Sequence, residues 1–138
     1  MLEKFSKKDI TATNVLIFIT VVMYIIQINI EEGGLLFGLN LYFLVYNFWW
    51  QPLSTIFAHG GIAHLGMNMF VLWQFGNLIE RSRSSKELIA LYLVTGIITS
   101  LLSFAYIYYL DNYVNLVGAS GAICALLGYV AYYDKAQR

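Results

Sequence analysis

A serine set among glycines, Gly118-Ala119-Ser120-Gly121, lies in a stretch that is otherwise apolar from Leu116 to Tyr133. A second apolar stretch holds His59, His64 and Asn68. Hydroxyl, imidazole and carboxamide groups are costly in hydrocarbon, so at membrane depth they mark a functional site by default. Together they offer acyl-transfer chemistry, in which the Ser120 oxygen attacks a peptide carbonyl. The Ser120 N–H, His64 and Asn68 would receive the oxyanion. Gly118 and Gly121 leave that N–H accessible near a helix N-terminus, where developing negative charge is favoured. His64 and Asn68 are four apart and share a helix face. His59, five residues before His64, stands about 140° round an ideal helix and is expected to face elsewhere. A plainer reading stays open on the residues alone: a serine bonded back to its own helix and a histidine satisfied in the core. Metal binding has little support, since the chain has two histidines on different faces and no carboxylate within the apolar stretches. The soluble-hydrolase elbow, G-x-S-x-G after a strand, does not match either.

The elements that must position these residues are membrane helices. Of 138 residues, 59% are hydrophobic and 12% charged, against about 25% charged in a soluble domain. Net charge is zero and no basic run suggests nucleic acid. The lone Cys124 excludes an internal disulfide. A crossing helix needs about 20 apolar residues, and four stretches approach that: 14–30, 56–79, 88–110 and 116–133. These define an all-α, polytopic membrane bundle forming one domain over 1–138. The first stretch follows Lys4, Lys7 and Lys8 but is long and lacks a small-residue cleavage site, so it is read as a retained span and not a signal peptide.

Charge fixes the expected orientation. All eight basic residues fall in three places: Lys4, Lys7 and Lys8; Arg81, Arg83 and Lys86; and Lys135 and Arg138. With four spans these places share one side, which the positive-inside rule makes cytoplasmic. Both ends are then inside, and loops 31–55 and 111–115 outside. The first outer loop carries Phe37, Tyr42, Phe43, Tyr46, Phe48, Trp49 and Trp50, which fits a segment lying at the membrane interface. Span four enters from outside, so Ser120 is expected about one turn in, level with His64 and Asn68. Small residues at three- and four-residue steps (Gly118, Gly121, Ala122, Ala125 and Gly128; Gly60, Gly61, Ala63 and Gly66) would let the two helices approach.

The sequence His59-Gly-Gly-Ile-Ala-His64-Leu-Gly-Met-Asn68, with Gly118-Ala-Ser120-Gly121 two spans later, closely resembles the rhomboid intramembrane serine proteases. Trp50 before the first histidine, and Gly76 to Glu80-Arg81, fit the same pattern, and the resemblance runs from about Asn14 onward. It implies that Ser120 is the nucleophile, with His64 and Asn68 at the oxyanion site and His59 tying span two to the first loop. Implied partners are transmembrane segments of other proteins, cleaved near the outer face of a bacterial-type inner membrane. No metal or organic cofactor is implied.

Three departures stand out. The family has six core helices and carries its general base, a histidine, on the sixth; four helices and no matching histidine are present here. Cys124 stands one turn below Ser120 where an aromatic is frequent, and reads as a small buried residue at a helix contact. Gln51 replaces the arginine that often follows the tryptophan. The expectation is a portion of a longer protease, inactive alone for lack of its base. The alternative is a rhomboid-like pseudoenzyme that binds transmembrane segments without cutting them. A small channel or transporter has less support, because no intramembrane acid or polar stripe is present.

Overall fold

The computed structural model describes residues 11–136. Four long helices dominate: α1 (Ala12–Asn29), α5 (Ile62–Ser82), α6 (Ser85–Tyr109) and α7 (Ser120–Ala136). Three short helices fill the connection between the first two: α2 (Gly33–Phe37), α3 (Tyr42–Val45) and α4 (Gln51–Ser54). The fold is an all-α membrane bundle. Among the described residues, α1 and α6 are long and apolar enough to cross a membrane. Both turn large apolar side chains outward, Phe18 and Leu102 being 70% and 66% exposed.

The helix starts are written locally. Thr11 accepts from the Asn14 N–H at 3.1 Å and caps α1. Ser84 accepts from the Glu87 N–H at 3.1 Å, the serine half of a Ser-x-x-Glu capping box, and starts α6. At the cytoplasmic end expected from the charges, Glu80 of α5 reaches across to α1. Its carboxylate accepts from the Ala12 N–H (2.7 Å), the Thr13 N–H (3.0 Å), the Thr13 hydroxyl (2.8 Å) and the Ser85 hydroxyl (2.5 Å). One carboxylate thereby joins α1, α5 and the start of α6, and its charge sits on the positive end of α1.

Between the helices, Leu16, Leu65, Met69, Leu72, Leu88, Ile123 and Leu126 form one buried core with Ile56. Tyr92 is fully buried among them, and its hydroxyl has no hydrogen-bond partner among the described residues.

Two helices start later than the apolar stretches suggested. The second stretch begins at residue 56, but α5 begins at Ile62, after Gly60-Gly61. The fourth begins at 116, but α7 begins at Ser120. In both places glycine interrupts an apolar run whose hydropathy alone gives no warning. The small-residue steps are only partly used. A methyl group on Gly61, Gly66 or Gly128 would meet nothing within 4 Å, so these glycines do not mediate close approach among the described residues.

Candidate active site

The start of α7 is set by the segment before it. Leu39 and Leu116 exchange both backbone hydrogen bonds at 2.9 Å in an isolated antiparallel bridge. Gly118 then adopts φ +114°, a conformation that L side chains rarely take, while its N–H donates to the Thr55 carbonyl at 2.9 Å. The Ala119 carbonyl accepts from the Ile123 N–H at 2.9 Å. Ser120 is therefore the first helical residue, not one turn in as the apolar run implied. Its N–H is one of the first-turn donors with no acceptor inside the helix, at the positive end of the dipole.

This placement bears on the plainer reading of the serine. Elsewhere, hydroxyls in apolar helices are spent on the preceding turn: Thr20 on the Leu16 carbonyl, Thr95 on Leu91 and Thr99 on Thr95, at 2.6, 2.5 and 2.7 Å. The carbonyl four residues before Ser120 belongs to Leu116. It lies outside the helix and already accepts from the Leu39 N–H and the Thr55 hydroxyl (2.6 Å). Ser120, exposed at the helix start, has no preceding turn to bond to.

Gly118 brings the two polar clusters together. A methyl group there would lie 2.7 Å from His64 Cε1, 2.9 Å from His64 Nε2 and 3.6 Å from Asn68 Nδ2. The Gly60 N–H donates to His64 Nδ1 at 3.3 Å, so Nδ1 is the acceptor and the imidazole proton belongs on Nε2, the atom beside Gly118. The tautomer of His59 follows the same way. Its Nδ1 lies 3.2 Å from the Phe57 carbonyl, which can only accept, so Nδ1 carries the proton and Nε2 accepts from the Asn68 amide at 3.0 Å. That uses one of the two Asn68 amide hydrogens and leaves the other for a further acceptor.

His59 does not face elsewhere, as helical arithmetic required. It precedes α5, so the 3.6-residue period does not reach it. It is 1% exposed, and its ring lies 5.0 Å from that of His64. Its backbone is held by Gln27 of α1, whose amide donates to the His59 carbonyl (2.7 Å) and accepts from the His59 N–H (3.0 Å). The bonds of His59 thus tie the entry of α5 to α1, not to the 31–55 loop. Gly121 serves close packing: a methyl group there would collide with the Thr99 hydroxyl of α6.

Beside Ser120 a cavity of about 150 Å³ opens between α6, α7 and the Thr55 segment, and Thr55, Thr99, Ser100 and Ser103 all line it. Among the described residues, Cys124 is not at a helix contact. It is exposed, one turn along α7 from Ser120 and on the same face by spacing. Gln51, the departure after Trp50, is fully buried and anchors the loop itself. It donates to the Leu35 carbonyl at 3.0 Å and accepts from the Asn40 N–H at 3.3 Å. Asn40 in turn donates to Asn115 at 2.8 Å, joining the 31–55 and 111–115 loops.

Sequence reasoning missed Gln27, Thr55, Asn40 and Asn115. Gln27 carried a usable signal, as a carboxamide at the end of an apolar helix. The other three sit in loops where polar residues are unremarked.

Residues 46–138 match the Rhomboid domain family. The chain belongs to the rhomboid family. It is 39% identical over 90 residues to rhomboid protease GluP of Bacillus subtilis, covering 65% of this chain and 17% of the relative. It is 30% identical over 142 residues to rhomboid protease AarA of Providencia stuartii, covering 89% and 50%. With rhomboid protease GlpG of Haemophilus influenzae it shares 35% identity over 89 residues, covering 62% and 42%. The chain thus spans half or less of the length of these curated relatives. As a rhomboid it is an integral membrane protein.

Proposed function

We propose that this chain carries the nucleophile and oxyanion site of an intramembrane serine endopeptidase whose substrates are transmembrane segments of other proteins. The observation that supports this most is the approach of Gly118 to His64 and Asn68, with Ser120 two residues on at the start of α7. Ser120 Oγ adds to a peptide carbonyl. The oxyanion is met by the Ser120 N–H, the His64 Nε2–H and the second Asn68 amide hydrogen. His59 holds Asn68 and takes no part in proton transfer. The Ser120 proton passes to a base and from it to the leaving amine. His59 spends both ring nitrogens and His64 Nδ1 accepts from Gly60, so neither is assigned as the base; the resemblance to rhomboid proteases implies a further histidine in that role.

In this reading α1, α5, α6 and α7 all cross one membrane as a single domain, with residues 111–119 and the aromatic loop on the outer side. The basic residues Arg81, Arg83, Lys86 and Lys135 face the cytoplasm, as in a bacterial inner membrane. Trp49, Tyr46 and Val45, 78%, 60% and 63% exposed, enter the interface. The test is fluorophosphonate labelling of the full-length protein in lipid nanodiscs, with the adduct mapped by mass spectrometry, beside cleavage of a single-span substrate. A Ser120 adduct and cleavage, both absent from Ser120→Ala, are expected. A folded protein that captures the span but forms no adduct overturns the reading in favour of a non-cleaving rhomboid.

A further inference from the structure

Thr55 touches the segment before Ser120 twice. Its hydroxyl donates to the Leu116 carbonyl at 2.6 Å, and its own carbonyl accepts from the Gly118 N–H at 2.9 Å. The two contacts bracket Val117 and close a small ring between the Thr55 residue and the 116–118 backbone. The Leu39 N–H supplies the other hydrogen bond to the Leu116 carbonyl, so both lone pairs of that oxygen are used. Thr55 is itself fixed. It is 2% exposed, its N–H donates to the Gln51 carbonyl at 3.0 Å, and it closes α4 as the C-cap. On the α6 side the Ser100 hydroxyl lies 3.1 Å from the Pro52 carbonyl of α4 and 2.9 Å from the Ile97 carbonyl of its own helix, and shares its one hydrogen between them. A run of contacts thus links α6 through α4 to the backbone that sets Gly118 against His64.

We propose that Thr55 is a positioning residue for Ser120. Its paired hydrogen bonds hold the 116–118 turn so that Gly118 keeps its left-handed conformation and the first N–H groups of α7 stay aimed at the oxyanion position. This role rests on the reading of Ser120 as nucleophile and is separate from it in test. An unpinned turn would let Gly118, a residue with little backbone preference, relax away from His64. Displacements near 1 Å at a reacting centre cost about a hundredfold in rate. Thr55→Val keeps the branched shape and removes the hydroxyl, and Thr55→Ser keeps the hydroxyl.

The experiment compares both variants with the full-length parent in nanodiscs, by hydrogen exchange over 114–123 and by fluorophosphonate labelling at Ser120. Thr55→Val is expected to deprotect this segment while the cytoplasmic end of α5 stays protected. It should lower the maximal labelling rate about tenfold or more, with little change in the reagent concentration for half-maximal rate. Thr55→Ser should restore both. Unchanged exchange in Thr55→Val overturns the proposal, as does raised exchange with an unchanged labelling rate. If the parent itself never labels, the nucleophile reading has failed, and exchange alone then decides the clamp.

Discussion

The two ends of α5 use polar groups in opposite ways. At the Glu80 end the carboxylate takes four donors from two other helices, α1 and α6, and both its oxygens are occupied. At the His64 end His59 spends both ring nitrogens, but the other polar groups keep capacity in reserve. Asn68 has a second amide hydrogen, His64 has Nε2–H, and Ser120 has both its hydroxyl and its backbone N–H. A saturated polar cluster stabilises, and an unsaturated one is available to a ligand. Burying unspent donors costs free energy unless something fills them, and the exposure of Ser120 lowers that cost.

Substitutions can break this contrast, beginning with the largest effect. Asn68→Ala removes a proposed oxyanion donor and should cut the Ser120 labelling rate by roughly 10²–10³. It also strips His59 Nε2 of its donor, at about 1–3 kcal/mol in stability. Labelling at the parental rate would remove Asn68 from the site. Glu80→Ala should act only on stability, by about 3 kcal/mol, because several donors lose one shared acceptor. The Ser120 rate per folded molecule should hold, and a parallel fall in rate would mean that the two ends are coupled.

Acid offers a gentler probe of the Glu80 end. Partial desolvation pushes the Glu80 carboxyl up, but hydrogen bonds from Ser85, Thr13 and Ala12 outweigh it and hold the group below its ordinary value. The folded pKa therefore lies under the unfolded one. The stability Glu80 confers is complete above about pH 4.3 and is lost as pH falls through the lowered folded value. Glu80→Gln should flatten that acid limb in thermal melts, and an unchanged limb would assign it to other carboxylates. The smallest effect belongs to Tyr92→Phe. Its buried hydroxyl has no partner among the described residues, so the variant should be neutral or more stable by about 1 kcal/mol. A loss of stability would reveal a hydrogen bond at that oxygen.

Much of the cluster around Ser120 was legible in the sequence because its signal is chemical. A histidine, an asparagine and a glycine-flanked serine in apolar surroundings stand out whatever the backbone does, and the four-residue spacing of His64 and Asn68 holds within α5. His59 was misread because Gly60-Gly61 end the helical period, and period arithmetic carries no information across a break. The Glu80 end was visible only as part of a pattern, since nothing in Glu80-Arg81 announces that the donors to its carboxylate lie on Ala12 and Thr13. Thr55 was invisible for a different reason. Its role depends on a turn created by Gly118, sixty residues further on, and one threonine in a loop resembles any other. Cys124 was placed in a contact by analogy with buried small residues, whereas its face of α7 is open among the described residues.

That open face gives the protein a built-in reporter. Cys124 is the sole thiol in the sequence and lies exposed one turn below the serine. A maleimide or spin label placed there lies beside the candidate site. Any segment that settles over Ser120 must shield the tag, and any cysteine introduced on that segment can be trapped against it, so what covers the serine can be mapped without waiting for turnover.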